Sequence, residues 1–196
     1  MLAAQRTFSA LMPYYQAFTE FTAQSKSVRA LMRMYSLLER GQPPPIPLTP
    51  VVVFLAFSIE SYLNSLGARA IPFWSEIERM PWKAKVNVLH AAAGHEPDWS
   101  REPLQFAREV FSLRDRLAHG KPERVEGPKH PDHAGPTKFP SGELEPDWYE
   151  SITLDWILDA KERFEVLMRH LAGLFGHGPG DYLHSSTGGI LASDNP

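Results

Sequence analysis

Residues 49–67 have the sequence TPVVVFLAFSIESYLNSLG, and this stretch decides the fold class. Its first half is apolar on every side, which is typical of a helix buried at the centre of a domain. A β-strand is the alternative for such a β-branched run. We favour a helix because the helical spacing of apolar residues continues to the end of the stretch. Thr49 is the expected N-cap, and Gly67 is the expected residue just after the helix. The positions that continue the spacing are Ile59, Tyr62, Leu63 and Leu66.

Further helical patterns lie on both sides of this segment. Residues 7–40 are predicted to form one long helix, with Pro13 as an alternative start because proline is tolerated in a first turn. A proline-rich connector, residues 42–47, must end that helix. On the other side, apolar residues three and four apart predict helices over residues 72–80, 82–93, 101–119 and 154–175.

Two segments lack a helical pattern. Residues 121–147 contain six prolines and three glycines, so residues 120–147 are expected to form a long loop. Residues 177–196 are rich in glycine, serine and histidine and are expected to be disordered. The predicted fold is therefore all-α: a helical bundle over residues 1–176 with a Pro-rich loop insertion, followed by a flexible C-terminal tail.

Composition excludes several classes of site and location. The chain has 196 residues and no cysteine, which rules out disulfides, thiolate zinc sites and a cysteine nucleophile. No secretory signal pattern is visible at the N-terminus, and the longest apolar run is too short to span a membrane. We therefore expect a cytoplasmic protein without a membrane partner. The net charge of −3 means that nucleic-acid binding would need a local basic patch.

The strongest chemical motif is Arg114-Asp115-Arg116-Leu117-Ala118-His119, at the end of the predicted helix 101–119. Arginine binds phosphate through a planar charged fork, and histidine exchanges a proton near neutral pH. Asp115 precedes His119 by four residues, the spacing at which helical side chains meet, so its carboxylate can orient the imidazole. Because Arg114 and His119 point about 140° apart on an ideal helix, they converge only if the helix ends at His119.

This motif resembles that of the HEPN family, the higher eukaryotes and prokaryotes nucleotide-binding domains. The family signature is an arginine, often followed by a polar residue, and a histidine four to six positions later, near the end of a helix in an all-α bundle. Residues 56–64, which include Glu60 and Asn64, resemble an earlier helix of prokaryotic members. The resemblance covers residues 50–175. Asp115 departs from the commoner asparagine at that position.

The resemblance implies metal-independent cleavage of RNA, without a cofactor, to 2′,3′-cyclic phosphate ends. Arg114, Asp115 and His119 would be the catalytic residues, with Arg116 and Lys121 as RNA ligands. It also implies a homodimer, and for many members a toxin paired with a nucleotidyltransferase-like antitoxin, or a role in phage defence. The alternative is an inactive member that binds a partner protein or a nucleotide.

Two further sets of residues have open interpretations. Glu60 and Asn64 lie on an otherwise apolar helix, where Glu60 either pairs with Arg114 or Arg116 or lies at the edge of the bundle. His130 and His133 lie in the Pro-rich loop without an organised third ligand, so we predict no metal site there.

Overall fold

The computed structural model describes residues 14–19, 21–40, 47–127, 129, 144–184 and 188–193. Most of these residues are helical, which confirms the predicted all-α class. The elements in chain order are β1 (Tyr14–Thr19), α1 (Ala23–Leu38), α2 (Thr49–Ala70), α3 (Trp74–Ile77), α4 (Trp82–Ala92), α5 (Leu104–His119), α6 (Asp147–Glu150), α7 (Leu154–Gly173), a 3-10 turn (Asp181–Leu183) and β2 (Gly188–Ser193).

The central element is α2, as its sequence predicts. It packs against α1, α4, α5 and α7, so its apolar side chains are covered from several directions. This explains why most of the first half of α2 is apolar, although Phe57 is 47% exposed. The α2 side chains that are fully buried include Val51, Val52, Leu55, Ile59, Tyr62, Leu63 and Leu66.

By length and composition alone, α2 could also cross a membrane. It has 22 residues, and 56% of its most apolar window is buried inside the protein. Burial of this kind is typical of the core helix of a soluble protein. Among the described residues no other helix meets the same criteria.

The end of α2 differs from the prediction. Gly67 was expected just after the helix, but α2 continues to Ala70 and Gly67 lies inside it. A side chain at this position would overlap the indole ring of Trp74, which is almost fully buried. The glycine therefore permits close packing between α2 and Trp74 and does not end the helix.

The N-terminal region was predicted incorrectly. Residues 14–19 form strand β1 and the first bundle helix begins only at Ala23, whereas one helix was expected over residues 7–40. The side chains of Tyr14 and Phe18 are 52% and 41% exposed, so they do not join the core. Aromatic and β-branched residues also favour an extended backbone, which here pairs with β2. The predicted part before residue 14 lies outside the described residues.

The chain divides into two compact units. Within the part of the chain that the structure describes, residues from 23 to 184 form the helical unit, and those from 14 to 22 and from 188 to 193 form the other. Within the second unit, β1 and β2 pair antiparallel, with Tyr14 opposite Ser193 and Thr19 opposite Gly188. The predicted boundary at residue 176 is therefore wrong, because residues 177–184 belong to the helical unit and residues 188–193 form a strand.

Residues 181–183 are anchored in the helical unit, although the tail was expected to be disordered. The Asp181 carboxylate accepts hydrogen bonds from Tyr62 Oη at 2.9 Å and from two Arg69 nitrogens at 3.0 and 2.6 Å. The Arg69 guanidinium holds the pKa of Asp181 at about 2, well below its ordinary value. Gln24 of α1 donates to the carbonyls of Asp181 and Tyr182. These buried contacts fix the segment that follows α7.

The last long helix agrees with its prediction. Thr153 caps α7, since its Oγ1 accepts a hydrogen bond from the backbone N–H of Trp156 at 3.1 Å. Before α7, residues 121–127 have no regular structure, and the short helix α6 follows at Asp147–Glu150. Most of the predicted Pro-rich loop lies outside the described residues.

Candidate functional site

The candidate site is built on α5, which has one buried side and one exposed side. Its core side chains include Phe106, Val110 and Leu113. The helix ends at His119, and the N–H of Gly120 still donates to the Arg116 carbonyl at 2.8 Å. His119 is therefore the last helical residue, as the motif requires.

The exposed side of α5 carries a line of polar residues. Successive members are three or four positions apart, except for two that are adjacent, so all lie within a sector of about 100° on the helix. All of them are exposed. We call this line the outer face of α5; its members are Gln105, Arg108, Ser112, Asp115, Arg116 and His119.

The C-terminal half of the outer face lines an open groove with a volume of about 490 Å³. The N-terminal turn of α4 supplies the facing wall. Three cations and one carboxylate lie in this groove beside His119, so it is locally positive in a chain that is negative overall. The groove residues are Trp82, Lys83, Arg108, Phe111, Ser112, Asp115, Arg116, His119 and Gly120.

Aromatic stacking joins the two walls of the groove. The rings of Trp82 and Phe111 stack with centroids 4.1 Å apart and an angle of 4° between their planes. Trp99 packs against the edge of Trp82, and Lys83 Nζ lies 4.9 Å from the centre of the Trp99 ring. These contacts hold the N-terminal end of α4 against α5, and with it the position of the Lys83 cation.

Arg114 is placed differently from His119. Its guanidinium lies 5.2 Å from the Phe111 ring, and its Nε is 3.1 Å from an Asp115 oxygen. Arg114 Nε is buried and makes no directed hydrogen bond, so this contact is an ion pair only. Arg114 contacts Phe111 and Asp115, which line the groove, but does not line it itself, whereas Asp115, Arg116 and His119 do.

The two predicted RNA ligands follow the motif closely. Arg116 lines the groove and its guanidinium lies 5.6 Å from the ring of Trp148, which belongs to α6. Lys121 is exposed in the extended segment that follows α5. Both residues therefore remain accessible to a phosphate near His119.

Glu60 does not pair with the motif, as one interpretation of the sequence suggested. Its Oε1 accepts a hydrogen bond from Lys85 Nζ of α4 at 3.0 Å. The Lys85 side chain is 3% exposed, and a charge buried so deeply requires an anionic partner. Asn64 lies one turn further along α2, with its Oδ1 buried and without a hydrogen bond. Of the two interpretations that the sequence left open, the structure therefore does not show the pairing of Glu60 with Arg114 or Arg116.

The motif at residues 114–119 does not include the groove residues that come from α4 or from earlier turns of α5. Lys83 and Trp82 come from α4, and nothing in their local sequence marks them as site residues. Arg108 and Ser112 could have been found, since they precede Asp115 and His119 at helical spacing on the exposed side of α5.

Metal binding has no organised site in the part of the chain that the structure describes. No group of three or more His, Cys, Asp or Glu side chains there is placed to hold a metal ion. The loop residues His130 and His133 lie outside the described residues.

A second polar cluster lies between the opposite end of α4 and α7. His90 is buried, and its Nδ1–H can donate to the Val86 carbonyl at 2.8 Å. Its Nε2 lies 3.0 Å from Nε2 of His170, so one proton is shared between the two rings. Burial lowers the pKa of both His90 and His170, and the nearby His95 lowers them further.

This histidine pair predicts that the protein loses stability in mild acid. Both folded-state pKa values lie below the ordinary value of 6.5, so the unfolded chain binds more protons as the pH falls. The stabilisation is fully present above about pH 6.5 and is lost below it.

Urea unfolding at about pH 8 and about pH 5.5 should show a lower midpoint in acid. His170→Phe should reduce that difference, and His119→Ala, at an exposed histidine of α5, should not. Equal midpoints for the unmodified chain would contradict the prediction.

Comparison with known proteins gives no family assignment. No protein-family model matches the chain, and no curated protein or solved structure is similar enough to count as a match. The functional proposal therefore depends on the motif and on the geometry of the groove.

Proposed function

We propose that this protein is a metal-independent endoribonuclease that cleaves RNA in the α5 groove. The observation that carries the proposal is His119: it is exposed in an open groove beside Lys83, Arg108 and Arg116. A titratable proton carrier next to several phosphate-binding cations is the combination that RNA transesterification needs.

The chemistry can be assigned to these side chains. A neutral His119 takes the proton of the ribose 2′-hydroxyl, and the 2′-oxygen attacks the adjacent phosphorus. The bond from phosphorus to the 5′-oxygen breaks, and that oxygen takes up a proton. Arg116 and Lys83 neutralise the charge that develops on the phosphate oxygens. The products are a 2′,3′-cyclic phosphate and a 5′-hydroxyl.

A homodimer completes the proposal. One histidine cannot act as base and as acid in the same step, so a second His119, from a partner protomer, would protonate the leaving oxygen. Such a dimer would also offer a second Arg114, a residue that does not line the groove of its own chain. The sequence composition suggests a cytoplasmic location, and the family resemblance suggests a toxin partnered by an antitoxin or a role in phage defence.

Purified protein incubated with single-stranded RNA in the presence of EDTA tests the proposal. We expect cleavage, with cyclic phosphate ends detected by mass spectrometry, from a species that sediments as a dimer. Loss of cleavage in EDTA would exclude the metal-independent mechanism. Linear 3′-hydroxyl products would exclude attack by the 2′-hydroxyl.

The position of Arg114 favours a second candidate, an inactive module of the same fold that binds a protein or a nucleotide. In one chain Arg114 and His119 point about 140° apart on a regular helix, and Arg114 is paired with Asp115. If this candidate is correct, the purified chain will be inactive on RNA and Arg114→Ala will leave the binding of a partner captured from cells unchanged.

A further inference from the structure

The groove around His119 continues along α5. A second groove, of about 450 Å³, lies beside the N-terminal half of the helix and is lined by Gln105, Arg108, Glu109, Ser112 and Arg163. Arg108 and Ser112 line both grooves, so the two are contiguous. Together they follow the outer face of α5 from His119 to Gln105.

The charge in this second groove suits a phosphate chain. Arg108 is exposed, and its Nη1 donates to the Trp99 carbonyl at 3.2 Å, which holds the guanidinium at the junction of the grooves. The carboxylate of Glu109 accepts hydrogen bonds from Arg163 at 2.8 Å and from the Trp156 indole. Arg163 also pairs with Glu102 and Asp159, so this one guanidinium is shared among three carboxylates, each of which has a partner. An incoming phosphate therefore meets Arg108 without an unpaired carboxylate beside it.

We propose that the second groove binds the RNA strand that flanks the scissile phosphate, with Arg108 as its principal phosphate ligand. This inference rests on the proposed function and deepens it by defining the substrate as a single-stranded segment. A helical rise of 1.5 Å over the residues from 105 to 119 gives a track of about 21 Å. At the roughly 3.4 Å rise of a stacked strand, that track accommodates at most about six nucleotides.

Binding of RNA oligonucleotides that cannot be cleaved tests the inference on the full chain. Labelled 2′-O-methyl RNAs of about two, four and eight nucleotides cover the site near His119 alone, part of the track and all of it. We expect affinity, measured by fluorescence anisotropy, to rise with length and then level off. Arg108→Ala should weaken binding of the longest RNA about tenfold and affect the shortest much less.

The salt dependence of RNA binding and a matched variant distinguish the loss of a phosphate contact at Arg108 from a general loss of positive charge. Losing one phosphate contact should reduce the slope of log affinity against log salt by about 0.7 for a single strand. Arg33→Ala removes an exposed arginine on α1 and should leave both the affinity and the slope unchanged. Circular dichroism would check that both variants fold.

The outcomes distinguish this inference from the proposed nuclease. Length-dependent binding that requires Arg108, together with no cleavage of ordinary RNA, would support the track and reject the nuclease. Cleavage with affinity independent of length or of Arg108 would overturn the track alone. Failure of all the RNAs to bind would overturn both.

Discussion

His119→Ala is expected to reduce the rate of RNA cleavage by about 10²–10⁴-fold, the contribution that a positioned proton carrier typically makes. The side chain is exposed at the end of α5, so its removal leaves no cavity in the core. The variant should therefore keep the thermal stability and the RNA affinity of the unmodified protein. Initial rates on a fluorogenic RNA, measured at saturating protein, would show the loss.

A matched histidine controls for the loss of an imidazole anywhere in the chain. His184→Ala removes a side chain that is 78% exposed and lies outside the groove, so its cleavage rate should be unchanged. Cleavage that persists in His119→Ala would show that the nuclease activity has another source. Equal losses in both variants would point to a change in folding or purity.

Leu63→Ala should lower the free energy of unfolding by about 2–5 kcal/mol, the range for truncating a buried leucine. Leu63 is completely buried in α2, where several helices surround it, so the vacated volume cannot be filled by a single moving neighbour. The loss is a large part of the stability of a typical domain. Urea denaturation followed by circular dichroism would measure it.

Leu154→Ala is the matched control, because Leu154 is 45% exposed at the start of α7. It should change the free energy of unfolding by no more than about 0.5 kcal/mol. A similar effect of both substitutions would show that α2 is not the centre of the core. A small effect of Leu63→Ala on the free energy of unfolding would imply the same, whatever the effect of Leu154→Ala.

The fold class could be predicted from sequence because the signals for the main helices are local. The apolar run and helical spacing of α2 distinguish it from a strand within about twenty residues, and Thr153 marks the start of α7 through its own cap. The N-terminal strand was missed for the opposite reason. Residues 14–19 form a strand by pairing with residues 188–193. A pattern within one short segment does not indicate a pairing partner so far along the chain.

The candidate site was predictable only in part, for the same physical reason. His119 and Asp115 share a helix end, so their spacing reveals them. Lys83 reaches the groove only because Trp82 stacks on Phe111, a contact between two helices. The partner of Glu60 stayed open because the sequence does not show that Lys85 is buried and needs an anion.

The contacts of Asp181 limit how far the chain can be shortened. A chain cut after Gly176 would remove the acceptor of both Tyr62 and Arg69 and uncover one edge of the Tyr62 ring, where Tyr182 now packs. Tyr62 Oη is buried and would be left without the carboxylate that accepts its proton here, which is costly. Shortened forms for crystallisation or for activity assays should therefore extend at least through His184.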